Sequence, residues 1–79
     1  MDRKLEIGKV YRHFKNKLYL LVDVALDCET QRESVVYRAL YGDCKLWIRD
    51  KEDFLAEVGE RKNKDNVTNQ KYRFERIEI

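Results

Sequence analysis

Short runs of alternating apolar and polar residues follow one another along this chain of 79 residues. In the clearest run, residues 18–26, every second residue is apolar, which is typical of a half-buried strand. A second alternating run spans residues 33–41, and the polar residues 27–32 join it to the first. The two runs therefore predict an antiparallel hairpin.

Three further segments also have the character of strands. Residues 9–14 follow a glycine and are rich in aromatic and β-branched side chains, and residues 15–17 read as a turn after them. Residues 45–49 follow a Gly-Asp turn. Residues 72–79 alternate with a change of parity, so we expect a bulge near Arg76.

One short helix is predicted between the last two of these strands. Asp50 is a suitable N-cap, acidic residues follow it, and Gly59 stands just past the expected end of a helix over 51–58. Phe54 and Val58 recur at helical spacing, so the helix should cover an open end of the sheet. The polar segment 60–71 has no apolar periodicity and is expected to be a mobile loop.

These elements predict a mainly β fold, a small antiparallel barrel or roll of about five strands with one short helix, since closure protects the edges of a sheet. The whole chain, 1–79, is expected to form a single domain, which excludes a large multi-layer enzyme. With 43% hydrophobic and 41% charged residues, the chain can build one small core inside a charged surface. Five Tyr, three Phe and one Trp argue against intrinsic disorder.

Strand parity also predicts which side chains form the core. The apolar residues that it assigns there are Leu18, Leu20, Val22, Leu46 and Ile48. Tyr19 and Trp47 have the opposite parity. We therefore expect these two aromatic rings on the outer face of the sheet.

Nothing in the sequence points to a membrane, a secretory route or a metal. The longest apolar run has five residues, 18–22, against the roughly 18 to 20 that span a bilayer. The N-terminus is charged and has no apolar stretch, so we expect a cytoplasmic protein without a signal peptide. Cys28 and Cys44 are then expected as free thiols, and with one His and no Cys-x-x-Cys pair no metal or cofactor site is predicted.

The net charge of +2 hides an uneven distribution along the chain. Residues 1–22 carry six basic and two acidic side chains, residues 23–60 carry five and ten, and residues 61–79 carry six and three. If the two terminal segments lie side by side, their charges would form one positive surface that attracts an anionic partner. A mixed, solvated surface is the alternative.

Three segments carry a resemblance to a known family. Residues 8–15 (GKVYRHFK), 35–42 (VVYRALYG) and 46–49 (LWIR) resemble, in order and spacing, the small bacterial family called domain of unknown function 1653 (DUF1653). The resemblance covers roughly residues 7–58, with a weaker match at 72–74, and departs from the family pattern at Asp27 and Asp50. It implies a topology similar to SH3-like barrels, and it implies no activity.

The sequence shows no set of residues that would make an active site. His13 is the only histidine, and no nucleophile elbow, glycine-rich phosphate loop or paired carboxylates accompany it. We therefore expect His13 to be structural and the protein not to be an enzyme, with no catalytic residues. The alternative is a small enzyme or ligand-processing domain that uses His13 with Glu29 or Asp43.

The aromatic and basic residues are the better candidates for a site. The residues predicted to bind a ligand are Tyr11, Arg12, His13, Tyr37, Arg38, Trp47 and Arg49, within a wider set that also includes Tyr19 and Tyr41. An aromatic platform edged by guanidinium groups could stack the bases of single-stranded nucleic acid, dock an extended peptide or cage a cationic group. Alternatively, the helix and the long loop cover the aromatic rings.

The leading hypothesis is therefore a non-catalytic binding module for nucleic acid or protein. An accessory subunit or a homodimer with Trp47 at the interface is a further alternative, so monomer and homodimer both remain open.

Overall fold

The computed structural model of the protein describes residues 4–78, and within this range it does not describe the side chains of residues 61–63. The elements, in chain order, are β1 (Val10–His13), β2 (Lys17–Leu26), β3 (Glu33–Ala39), β4 (Leu46–Asp50), α1 (Lys51–Phe54), a 3₁₀ helix (Glu60–Asp65) and β5 (Phe74–Arg76). The five strands form one antiparallel sheet in the order β4-β3-β2-β1-β5. The prediction of a mainly β domain with five strands and one short helix is confirmed.

The sheet does not close into a barrel, in contrast to the stronger form of the prediction. The first four strands form a meander, and β5 returns to pair with β1, with Phe74 opposite His13 and Arg76 opposite Tyr11. Strands β4 and β5 are left as the two edges. All five described strands, including the three-residue β5, belong to one sheet, so no second sheet of described strands covers its inner face. Helix α1 covers that face instead.

The predicted turns are present at the ends of the hairpins. Asn16 between β1 and β2 and Gly42 between β3 and β4 both have positive φ angles, of 64° and 56°. Between β2 and β3, the Asp27 carboxylate accepts hydrogen bonds from the backbone N–H groups of Thr30 at 3.0 Å and Glu29 at 2.9 Å. These bonds hold the pKa of Asp27 below its usual value, because they favour the charged carboxylate.

The core is aromatic and lies on one side of the sheet, here called the inner face. Its buried members are Tyr11, Leu21, Val35, Tyr37, Phe54 and Phe74. The rings of Phe54 and Phe74 stack with their centroids 4.1 Å apart and an angle of 8° between their planes. Tyr11 and Tyr37 each meet the Phe54 ring edge-on at 5.5 Å. Aromatic packing therefore connects α1 to three strands of the sheet.

The prediction of which residues form the core is wrong on β2 and β4. Leu21 is fully buried, whereas Leu46 and Ile48 are 52% and 67% exposed. Val22 is exposed too, and Leu18 and Leu20 are half-buried on the outer face. The β2–β3 register shifts between Leu21 and Asp23, so β2 changes parity at a bulge.

The two aromatic rings predicted on the outer face lie on the inner side of the sheet instead. Tyr19 is half-buried and packs against the core cluster. Trp47 lies directly opposite the buried Tyr37, so both point to the inner side, but Trp47 is 49% exposed because β4 is an edge strand. Bulky rings rather than the leucines of the other parity fill the inner face.

Helix α1 begins as predicted and ends early. The Asp50 side chain accepts a hydrogen bond of 2.9 Å from the N–H of Glu52 and is itself held by Arg32, whose hydrogen bond is the main reason that the pKa of Asp50 is lowered. The helix ends at Phe54 rather than at residue 58, because the following segment pairs with the chain around Tyr72. That pairing includes the backbone bond from Val58 N–H to the Lys71 carbonyl, 3.0 Å.

The segment predicted as a loop contains more structure than its composition indicates. It begins with the 3₁₀ helix, and its buried Gln70 donates hydrogen bonds to the carbonyls of Arg12, at 2.9 Å, and Tyr72, at 3.1 Å. The Gln70 side-chain oxygen accepts hydrogen bonds from Arg12, at 3.1 Å, and Thr68, at 2.6 Å. Gln70 thereby fixes this segment to β1. The last strand is shorter than predicted and ends at Arg76, where we expected a bulge, and Ile79 lies outside the described residues.

Replacement of Phe54 tests the aromatic core. Phe54→Ala removes a ring that stacks on Phe74 and leaves a cavity, so we expect it to lower the free energy of unfolding by about 3–5 kcal/mol, and Phe54→Leu to lower it by less. Urea unfolding followed by Trp47 fluorescence measures both. Val67→Ala is the control, because Val67 is 71% exposed. A loss below about 1 kcal/mol for Phe54→Ala would show that the ring stack is not central to stability.

Replacement of Gln70 tests its role as a hydrogen-bonding link. Gln70→Leu removes the hydrogen bonds that this side chain donates to the carbonyls of Arg12 and Tyr72, so we expect the free energy of unfolding to fall by about 2–4 kcal/mol and amide exchange in residues 64–72 to become faster. Gln70→Glu keeps the acceptor oxygen but loses both donors, and should be destabilised as well. Equal stability of wild type and Gln70→Leu in urea would contradict this role.

Candidate functional site

A cleft of about 330 Å³ opens on the inner side of the sheet, next to the turn between β1 and β2. The residues that line it are His13, Phe14, Lys15, Lys17, Tyr19, Tyr41, Arg49 and Arg73. This region is called the cationic cleft below. Its described lining contains four Lys or Arg side chains and no carboxylate. Its electrostatic character is therefore that of a site for an anionic group.

The tight β1–β2 turn positions one wall of the cationic cleft. His13 ends β1 and pairs with Lys17, the first residue of β2. The His13 Nδ1 atom accepts a hydrogen bond of 3.2 Å from the backbone N–H of Lys15. The imidazole also lies 4.8 Å from the Phe74 ring and 4.2 Å from the Phe14 ring. These contacts fix the ring and place Lys15 and Lys17 on either side of the turn.

Two tyrosines form the second wall. The hydroxyl groups of Tyr19 and Tyr41 are hydrogen-bonded at 2.6 Å, and their rings meet edge-on with centroids 5.5 Å apart. The Lys17 ammonium lies 4.9 Å from the centroid of the Tyr41 ring. Tyr41 is 40% exposed, so part of its ring is accessible beside a cation. Such a pair can hold a planar group and a negative charge next to one another.

Asp53 of α1 fixes the two arginines of the cationic cleft. Its Oδ2 atom accepts a hydrogen bond of 2.7 Å from Arg49, and its Oδ1 atom lies 3.1 Å from a guanidinium nitrogen of Arg73. Arg49 also donates to the Tyr37 hydroxyl at 3.2 Å. Two guanidinium groups thus share one carboxylate. Lys15 and Lys17 form no salt bridge with any described residue. The charge of the cleft is positive on balance.

The structure brings together only two of the seven residues that the sequence predicts to bind a ligand. His13 and Arg49 line the cationic cleft. Tyr11 and Tyr37 are buried in the core, at 2% and 5% exposure, so no ligand can stack on them in this fold. Trp47 lies apart on the β4 edge, where half of its surface is exposed.

The remaining two predicted residues are engaged elsewhere. Arg12 donates to Gln70 at 3.1 Å, and Arg38 donates to the carbonyl of Cys44 at 2.8 Å. Both lie on the outer side of the sheet, opposite Leu18 and Leu46 in the strand register. One continuous aromatic platform edged by Arg12, Arg38 and Arg49 is therefore absent from the described part of the chain.

Sequence reasoning missed three cations of the cationic cleft. Lys15 and Lys17 were counted among the basic residues of 1–22 and assigned to a turn, but not to a site, although a basic pair that flanks a tight turn is a usable signal. Arg73 gave no signal, because it reaches the cleft through its salt bridge with Asp53 of α1.

The other classes of site have little support among residues 4–78. No group of three or more His, Cys, Asp or Glu side chains in this part of the chain could hold a metal ion, and Cys28 and Cys44 are exposed and free. Of the two acids considered as partners of His13, Glu29 follows β2 at the far end of a strand of ten residues, roughly 30 Å long. Asp43 is not part of the cleft lining. No helix in this range is long and apolar enough to cross a membrane.

The pH dependence of stability tests the packing of Tyr19. Burial, followed by the hydrogen bond to Tyr41, raises the pKa of Tyr19 well above its usual value of about 10. The unfolded chain therefore loses this proton at a lower pH than the folded chain. The stabilising effect of the raised pKa is complete below pH ~10 and declines as the pH rises further.

We accordingly expect wild type to lose stability more steeply than Tyr19→Phe between about pH 9.5 and 11, by urea unfolding at several pH values. The difference between the two proteins is the relevant quantity, because lysines titrate in both. Parallel curves would show that Tyr19 ionises as a free tyrosine does.

Comparisons with known proteins agree with the motifs in the chain. The family model described as a protein of unknown function (DUF1653) matches residues 9–76, which is most of the chain. No curated protein and no solved structure gives a significant match. The matched range contains all five strands and the whole cationic cleft. The chain therefore belongs to the DUF1653 family.

Proposed function

We propose that this protein is a non-catalytic binding module and that the cationic cleft is its ligand site. One observation carries the proposal: four basic side chains line a cleft whose described lining holds no carboxylate. Lys15 and Lys17 sit on a tight turn, and Asp53 holds Arg49 and Arg73 in place. An anionic group would enter a site whose charges are already positioned, which lowers the entropic cost of binding.

Single-stranded nucleic acid is the ligand class that fits this cleft best. Its phosphates would lie against Lys15, Lys17 and the two arginines, and a base would stack on the exposed part of the Tyr41 ring. A stacked base contributes about 1–3 kcal/mol. An acidic protein segment would use the same cations but not the ring, which is why we rank it second.

Binding without catalysis is supported by the surroundings of His13. Its Nδ1 atom accepts a hydrogen bond within the turn, and its ring lies against Phe14 and Phe74. These contacts suit a residue that shapes the turn and presents Lys15 and Lys17 to a ligand.

Titration with a mixed-sequence single-stranded RNA tests the proposal. We expect amide shifts in two-dimensional NMR spectra at residues 13–19, 41 and 49, and an affinity that falls steeply between about 20 and 200 mM salt. Lys17→Ala should weaken binding about three- to tenfold and reduce the slope of log K against log salt by about 0.7, because one phosphate contact is lost. Tyr41→Leu should weaken binding without changing that slope, because it removes a ring and no charge.

Lys9→Ala is the matched control, since Lys9 is exposed and lies outside the cleft lining. It removes the same charge from the protein and should leave the RNA affinity close to that of wild type. If Lys9→Ala and Lys17→Ala weaken binding equally, the attraction is not located in the cleft. If wild type shows no shifts at about 1 mM RNA, nucleic acid is not the ligand, and acidic peptides should be titrated against the same variants.

A further inference from the structure

Strand β4 forms an open edge of the sheet, with β3 on one side and no described strand on the other. The N–H of Ala39 donates to the carbonyl of Lys45 at 2.9 Å. Because hydrogen-bonding direction alternates along an antiparallel strand, Trp47 and Arg49 also direct their backbone groups to β3. Leu46 and Ile48 therefore direct theirs outward, where a further strand could pair with them.

The β4 edge lacks two of the features that protect edge strands, a bulge and a proline. Its register with β3 runs from Leu46 to Asp50 without a bulge, and the chain contains no proline. Three consecutive apolar side chains stand along it, with exposures of 52% for Leu46, 49% for Trp47 and 67% for Ile48. The opposite edge, β5, has only three residues. The two edges of the sheet thus differ sharply in how readily they could pair.

We propose that β4 pairs with β4 of a second copy of this chain, antiparallel, about a two-fold axis through Trp47. In this register Trp47 lies opposite its own counterpart on the inner side, and Leu46 lies opposite Ile48 twice on the outer side. All three exposed apolar side chains then meet apolar side chains. The backbone groups of Leu46 and Ile48 form the ladder of hydrogen bonds between the copies.

The registers shifted toward the C-terminal end of β4 are less favourable. A two-fold axis perpendicular to the sheet keeps the inner faces of both copies on the same side. The allowed registers are therefore those that place residues of the same face opposite one another. An axis through Ile48 would place Leu46 opposite the carboxylate of Asp50, and an axis through Arg49 would place two guanidinium groups opposite one another. The register centred on Trp47 places Lys45 opposite Arg49, and the ion pair of Arg49 with Asp53 reduces the repulsion between these two cations.

The self-complementary order of the exposed residues is the reason to name a second copy as the partner. An apolar residue lies on each side of Trp47, so two copies of this edge can place apolar side chains opposite one another. A contact along a five-residue strand is much smaller than the about 1,200 Å² or more that stable interfaces bury. The association is therefore weak and depends on concentration. Leu46, Trp47 and Ile48 are not part of the cleft lining, so this proposal is independent of the proposed function.

Sedimentation of the full chain from about 10 μM to 1 mM tests the proposed dimer. We expect the weight-average mass to rise from the monomer value of 9.6 kDa toward twice that value. Ile48→Lys should raise the dissociation constant about tenfold or more, since it places a charge in the contact. Leu46→Lys should do the same. Leu26→Lys is the control, because Leu26 is 61% exposed but lies on β2, away from the edge.

A mixed sample of labelled and unlabelled chains tests the register. We expect isotope-filtered contacts between the Hα atoms of Trp47 in the two copies, with the amides of Leu46 and Ile48 exchanging more slowly at high concentration. Dispersed amide spectra at 10 μM verify that the variants fold. A monomer at 1 mM, or a dimer that Ile48→Lys and Leu46→Lys leave intact, would overturn the proposal.

Discussion

The stacking of Phe54 on Phe74 is the interaction on which the rest of this structure depends. Phe54 ends a helix of four residues and Phe74 begins a strand of three, and neither element is long enough to be stable alone. Both rings are almost fully buried, with centroids 4.1 Å apart. Tyr11 and Tyr37 pack edge-on against them from β1 and β3. A single open sheet thereby gains a covered face without a second sheet.

The cationic cleft lies at the margin of that stack. His13 contacts the Phe74 ring at 4.8 Å, and the Arg49 guanidinium lies 5.6 Å from the same ring. Asp53, the neighbour of Phe54 in α1, holds Arg49 and Arg73 together. The helix turn that inserts a ring into the core therefore also fixes the charges of the cleft. Damage to the core would consequently alter the site, so the stability of each cleft variant has to be measured beside its affinity.

The existence of the strands was predictable from sequence, and the faces of the sheet were not. Alternation and turn residues located β1 to β4 to within one or two residues, because pleating forces a period of two. On β2, however, both parities are apolar, with Leu18 and Leu20 on one and Tyr19 and Leu21 on the other. Parity alone could not choose between them, and the bulge after Leu21 changes it midway. Which face of β2 is buried is decided by the aromatic rings, which fill the inner face through contacts between segments that are remote in the sequence.

The cationic cleft could not be predicted from the sequence either, but for a different reason. Ion pairs form between residues that are remote in the sequence, so the charge of a segment does not give the charge of the surface on which it lies. The basic terminal segments do meet, since β1 and β5 are neighbours. Much of their charge is nevertheless balanced locally, as Arg76 is by Glu6 and Glu78. A positive excess remains where two guanidinium groups share the carboxylate of Asp53, and where Lys15 and Lys17 flank Asn16 without a salt bridge to any described residue. A net charge of +2 says little about binding, because a ligand responds to the local field of the cleft and not to the sum over the chain.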